Sequence, residues 1–142
     1  SRIERFEELN CWRAARELTK VVYELSRNGP ISRDFNMKDQ ARRAALSSMS
    51  NIAEGFRRMS TREFIRFLEV STASADEVCS LSYAAEDQSY WASDEAAHVR
   101  RSAEKVIALN LGLIKTFVKE QQIAVINVGP LKRWHVGTST RW

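Results

Sequence analysis

An all-α fold, an up-down-up-down bundle of four helices, is predicted by three observations: apolar residues recur at helical spacing over four long segments, the connections between them are short, and chain breakers are scarce. Only five glycines and two prolines occur in 142 residues, so long helices meet few interruptions. Both prolines lie outside the periodic segments, and no strand-like alternation of useful length occurs before residue 123. With 44% hydrophobic residues, a single domain can bury a sizeable core without disulfides or metals.

The first helix is expected from about Phe6 to Arg27. Its core side is Cys11, Ala14, Ala15, Leu18, Val22 and Leu25, and Asn28-Gly29-Pro30 stops it. Trp12, Arg16, Thr19 and Tyr23 group together on a side turned away from Leu18 and Val22. Aromatic rings beside arginine can stack bases, but they are equally typical of subunit interfaces, the preferred reading for Trp12 and Tyr23.

The second helix is expected from about Asp34 to Phe56, with Gly55 near its end and Leu46, Met49, Ile52, Ala53 and Phe56 on the buried side. Opposite them Gln40, Ser47, Asn51, Glu54 and Arg58 line up in a narrow polar stripe, with Arg43 at its edge. A solvated face is usually rich in Glu and Lys. Here Ser47, Ser50 and Asn51 are poorer helix formers whose short side chains permit close approach. The stripe is therefore either hydrated or packed on another helix or subunit, with Asn51 and Glu54 in a hydrogen-bonded network.

Ser60 and Glu63 form a capping-box pattern that starts the third helix, which continues to about Asp87. Its buried stripe is Phe64, Phe67, Leu68, Ser71, Ala75, Val78 and Ala85, bulky at one end and small in the middle. Ser93, Asp94 and Glu95 start the fourth, where acidic side chains suit the positive end of the helix dipole. Val99, Ala103, Val106, Ile107, Leu113, Ile114 and Phe117 then make a broad apolar arc that includes Asn110. The bundle domain is placed at residues 1–122. Residues 123–142 form a basic, aromatic tail, read as disordered or packed on a neighbouring subunit.

Charge along the chain is more telling than the net +4. Between Phe67 and Val99 there is no Lys or Arg, while Glu69, Asp76, Glu77, Glu86, Asp87, Asp94 and Glu95 fall there. In this topology the turn joining helices two and three shares an end with both termini, so Arg57, Arg58 and Arg62 should gather near Arg2, Arg5, Lys115 and Lys119. The other end should carry Glu86, Asp87, Asp94 and Glu95. Such polarity suits a phosphate-bearing partner at the basic end, with Arg42 and Arg66 as further contacts, although charge segregation also serves solubility and end-to-end packing.

Catalysis by this chain is not expected. The serines of helix two have no histidine within local reach, and His98 and His135 are the only histidines. Glu54, Glu63 and Glu77 lack the paired Glu-x-x-His spacing of di-iron bundles, and no glycine loop cradles a phosphate. Cys11 and Cys79 fall on or beside apolar faces without metal-ligand spacing and read as small core hydrophobes. No metal or cofactor is expected. Neither a membrane span nor a charged-then-apolar leader is seen, so a cytoplasmic location is expected.

The segments RFEELNCWRAARELTKVVYELS, QARRAALSSMSNIAEGFRR and STREFIRFLEVSTASADEV, followed by a helix ending NLGLIKTF, resemble the four-helix-bundle family of bacterial ribosomal-RNA intervening-sequence proteins over about residues 5–120. The most specific part is Ser50-Asn51-Ile52-Ala53-Glu54-Gly55 with its basic pair, then Ser60 and Glu63-Phe64. The resemblance implies a ring-like homopentamer without catalytic residues. The family is similar to the accessory protein of diversity-generating retroelements, a basic pentameric barrel that binds nucleic acid and a reverse transcriptase. It carries over Gln40, Arg43, Asn51, Glu54, Arg57, Arg58, Glu63, Arg66 and Glu77 as matching polar positions. Two functions follow as expectations: an oligomer that binds RNA or DNA through its basic end, or an adaptor ring that binds another protein.

Overall fold

The computed structural model describes residues 2–127, with side chains through Ile123. A short 3-10 turn, Phe6–Glu8, precedes helix α1, Asn10–Ser26; α2 spans Phe35–Phe56, α3 Thr61–Asp87 and α4 Ser93–Asn127. Each helix packs on the next and α4 returns to α1, closing a four-helix bundle. Among the described residues there is no multi-residue strand.

Local chemistry accounts for the boundaries. The expected start at Phe6 is interrupted because the Glu8 carboxylate turns back to accept the N–H groups of Glu4 and Arg5 at 2.9 and 2.8 Å, and Leu9 is extended. Residues 30–33, which followed no strong sequence pattern, form a 3-10 turn opened by Gly29 in the left-handed region (φ 76°). Asp34 caps α2 by accepting the Met37 N–H at 3.1 Å, and Ser60 caps α3 through the Glu63 N–H at 3.1 Å. Helix α4 continues through Asn127, past the expected tail boundary at 123. The remainder of that tail, with His135, lies outside the described residues.

The end of α3 is a Schellman motif, with the Tyr90 N–H on the Ala85 carbonyl and the Ser89 N–H on that of Glu86. Ser89 occupies the position that glycine favours, at φ 60°. Ser89→Gly is expected to raise stability by about 0.5 to 1 kcal/mol by relieving the left-handed strain, measured by urea unfolding. Beyond the turn, the Tyr90 hydroxyl donates to the second Asp34 oxygen at 2.9 Å, and Trp91 Nε1 donates to the Leu25 carbonyl at 2.9 Å. These two bonds tie the α3–α4 connection to the α1–α2 connection.

The core follows the expected stripes on α1, α3 and α4, with one correction on α2. Leu46, expected inside, is 42% exposed, whereas Ala41, Ala44, Ala45, Ser48 and Gly55 are buried beside Ile52 and Phe56. Bulk pointed the wrong way: α2 is held closely between α1 and α3, so its inner face is made of small residues. A polar layer crosses the middle of the bundle. Fully buried Asn110 donates through Nδ2 to Ser71 Oγ at 2.9 Å, and Ser71 donates to the Ser48 carbonyl at 2.6 Å. Asn110 Oδ1 has no hydrogen-bond partner among the described residues.

Candidate nucleic-acid interface

The turn between α2 and α3 presents its arginines by construction. Gly55 lets the helices close together, and α2 ends as the Arg57 and Arg58 N–H groups bond to the Glu54 and Gly55 carbonyls at 3.2 and 3.1 Å. Arg57, Arg58, Arg62 and Arg66 are all exposed. The Arg58 guanidinium lies 4.8 Å from the centre of the Phe67 ring, which half-buries the ring and holds the charge at the surface. Arg58 also lies 3.6 Å from Glu54, an ion pair between side chains 44% and 60% exposed and hence of small energetic weight. Arg62 and Arg66, one turn apart on α3, make no ion pair among the described residues.

This end also collects acids. The Glu7 carboxyl is held below the usual range chiefly by its hydrogen bond from Arg5, with a smaller contribution from Arg57, which places Arg57 beside the N-terminal turn. Glu4, Glu8 and Glu63 are exposed nearby, so the basic excess is modest. The opposite end is mixed rather than acidic, because the α1–α2 connection brings Arg27 and Arg33 there. Glu86 is committed to Arg100 at 3.0 Å in a partly buried pair, and the Arg100 guanidinium lies 4.1 Å from the Tyr83 ring centre.

Arg42 stands apart from the turn, about 22 Å along α2 from Arg57. Its Nε donates to Ser26 Oγ at 2.8 Å and its guanidinium stacks on Tyr23 at 4.3 Å, so it joins α1 to α2. The polar stripe of α2 is divided. Ser47 shares a hydrogen bond with Ser74 of α3 at 2.8 Å, and Asn51 Nδ2 donates to Ser47 Oγ at 2.9 Å; both are half-buried within one chain, not opposite the core. Gln40, Arg43 and Glu54 are exposed, and Gln40 bonds Asn36 at 2.9 Å. Trp12 is half-buried against Phe6, 5.1 Å between ring centres, while Thr19 donates to the Ala45 carbonyl at 3.1 Å. The side of α1 bearing Thr19 and Tyr23 therefore faces α2.

Other chemistry has little to work with. Among the described residues no group of three His, Cys, Asp or Glu side chains converges as for a metal ion. Burial pushes the Cys11 thiol pKa up to about 12, so it is inert as a nucleophile at neutral pH. The largest groove, about 550 Å³, lies between α1 and α4 over Ala14, Val21 and Leu109, with Arg13, His98 and Lys105 at its rim. No helix among the described residues is long and apolar enough to cross a membrane.

Residues 7–112 match the family model described as 23S rRNA-intervening sequence protein. The chain belongs to that family. A solved structure with the same fold, a protein of unknown function from the S23 ribosomal protein family of Bacteroides thetaiotaomicron, aligns with a TM-score of 0.68 at 19% identity. The alignment covers 74% of this chain and 98% of that one. No curated protein matches the chain. For this intervening-sequence family member, the matched span contains the whole α2–α3 turn and the polar layer, but stops within α4.

Proposed function

We propose that the protein is a non-catalytic oligomeric bundle, assembled as a ring-like homopentamer, that binds nucleic acid through the end formed by the α2–α3 turn. The observation that carries this reading is the exposed group Arg57, Arg58, Arg62 and Arg66, two of which have no acidic partner among the described residues. Guanidinium groups match phosphate oxygens in bidentate geometry and stay charged at every physiological pH. With acids close by, one chain makes only a few phosphate contacts. A ring that repeats the turn would multiply them, and linked weak contacts give strong binding.

A titration with structured RNA and with duplex DNA, at low and near-physiological salt, tests this reading with the assembly mass recorded in the same samples. Replacing Arg57, Arg58 and Arg62 together by Glu should weaken binding at least about a hundredfold and flatten its salt dependence, with the assembly intact. Unaltered binding would sink the proposal. An adaptor ring that binds another protein is the second reading, favoured by exposed Leu46 beside the half-buried Met49, Trp12 and Tyr23 on the α1–α2 face. It requires that neither nucleic acid binds even at low salt.

A further inference from the structure

The outer groove between α3 and α4 is apolar at its floor and acidic at its rim. On α4, Ile107, Leu111, Ile114 and Val118 recur at helical spacing beside the core positions, and Leu111 and Val118 are 46% and 40% exposed. Across the groove α3 contributes Ile65, Thr72 and Cys79, all half-buried. The bonds from Asn110 to Thr72 (3.3 Å) and from Arg100 to Ser82 (3.1 Å) fix the pairing of these antiparallel helices. That pairing puts Leu111 level with Thr72 and Glu104 level with Cys79. At the far end the Arg100–Glu86–Tyr83 cluster closes the groove.

Burial raises the Cys79 thiol pKa, and the nearby charges of Glu104 and Asp76 raise it further, which places both carboxylates at this rim. Glu69 lies two turns before Asp76 on the same side of α3, and Lys115 is the basic residue among them on α4. A basic, aromatic segment would suit this surface. The chain carries one immediately after α4: Gly129 and Pro130, which do not continue a helix, then Leu131-Lys132-Arg133-Trp134-His135-Val136. Residues 131–142 can extend about 40 Å, whereas Leu111 lies about 24 Å of helix back from Asn127.

We infer that the segment after Pro130 docks on its own chain, in the α3–α4 groove, with Leu131 and Trp134 over Leu111 and Val118 and with Lys132 and Arg133 against Glu69, Asp76 and Glu104. This assigns the exposed stripe of α4 an occupant within the chain and leaves the α2–α3 turn free.

The test uses the full chain. Carbodiimide coupling should join Lys132 to Asp76, Glu69 or Glu104, and the product should run at single-chain mass under denaturing conditions. Coupling that appears only at double-chain mass would assign the groove to a neighbour's tail and overturn the proposal, as would coupling to other carboxylates or none. Cys79 gives a second readout, since Cys11 is buried. Lys132→Glu combined with Arg133→Glu should speed labelling of Cys79 by a thiol reagent about tenfold, equivalent to a docking preference of 1.4 kcal/mol. An unchanged labelling rate would also overturn it.

Discussion

Gly55→Val is expected to destabilise the protein by about 3 kcal/mol, among the largest effects of any single substitution in the chain. A Cβ at this position would sit 2.5 Å from Phe67 Cβ and 2.9 Å from Phe64 Cδ1. Phe67 Cβ is fixed to the α3 backbone and cannot swing aside, so the helices must part. Ala should cost less than Val, because the gain of about 1 kcal/mol in helix propensity offsets part of the overlap. Opening the turn would also shift Phe67 from beneath Arg58, so nucleic-acid affinity should fall with stability. Urea unfolding read by far-UV circular dichroism gives the stability. A Val variant within about 0.5 kcal/mol of the parent would show that α2 and α3 are not this close.

Phe64→Ala is the second large effect, expected at about 3 to 5 kcal/mol. The Phe64 ring is fully buried, 5.3 Å from the Phe117 ring centre and 6.2 Å from that of Phe56, nearly edge-on to the latter. Three helices meet through these rings directly behind the arginine-bearing turn. Truncation leaves a cavity that their rigid backbones cannot fill, and Tm should drop by about 10 °C or more. Phe64→Leu keeps much of the volume and should lose about 1 to 1.5 kcal/mol. If the Ala and Leu variants unfolded together, the loss would not come from volume at this site.

Residues whose bulk announces them were legible in sequence: Leu18, Val22, Phe64, Leu68, Val106 and Phe117 all lie where periodicity placed them. Both capping residues at α2 and α3 were also legible, because Asp and Ser accept from the third residue onward wherever a helix begins. The inner face of α2 was not. A large side chain dominates an apolar periodicity, yet helices that pack closely select Ala, Ser and Gly, so Leu46 was drawn inward and Ser48 left out. Ser47 and Asn51 were recognisable as unusual, but only the position of Ser74 shows that α3 meets them. The clustering of Arg57, Arg58 and Arg62 follows from chain proximity and topology. The separation of Arg42 does not, since a helix carries its residues away from the turn at 1.5 Å each and no sequence pattern names Tyr23 and Ser26 as its partners.

The seam between α1 and α4 has a kinetic consequence. Helices α2, α3 and α4 each follow their packing partner in the chain after a short connection, and their contacts can form early at little cost in loop entropy. Docking α1 against α4 joins the two helices most distant in sequence, across the groove over Ala14, Val21 and Leu109. That step comes last in folding and reverses first. Amide protons of α1 should therefore exchange by a partial opening while those of α3, bonded to neighbours on both sides, wait for global unfolding.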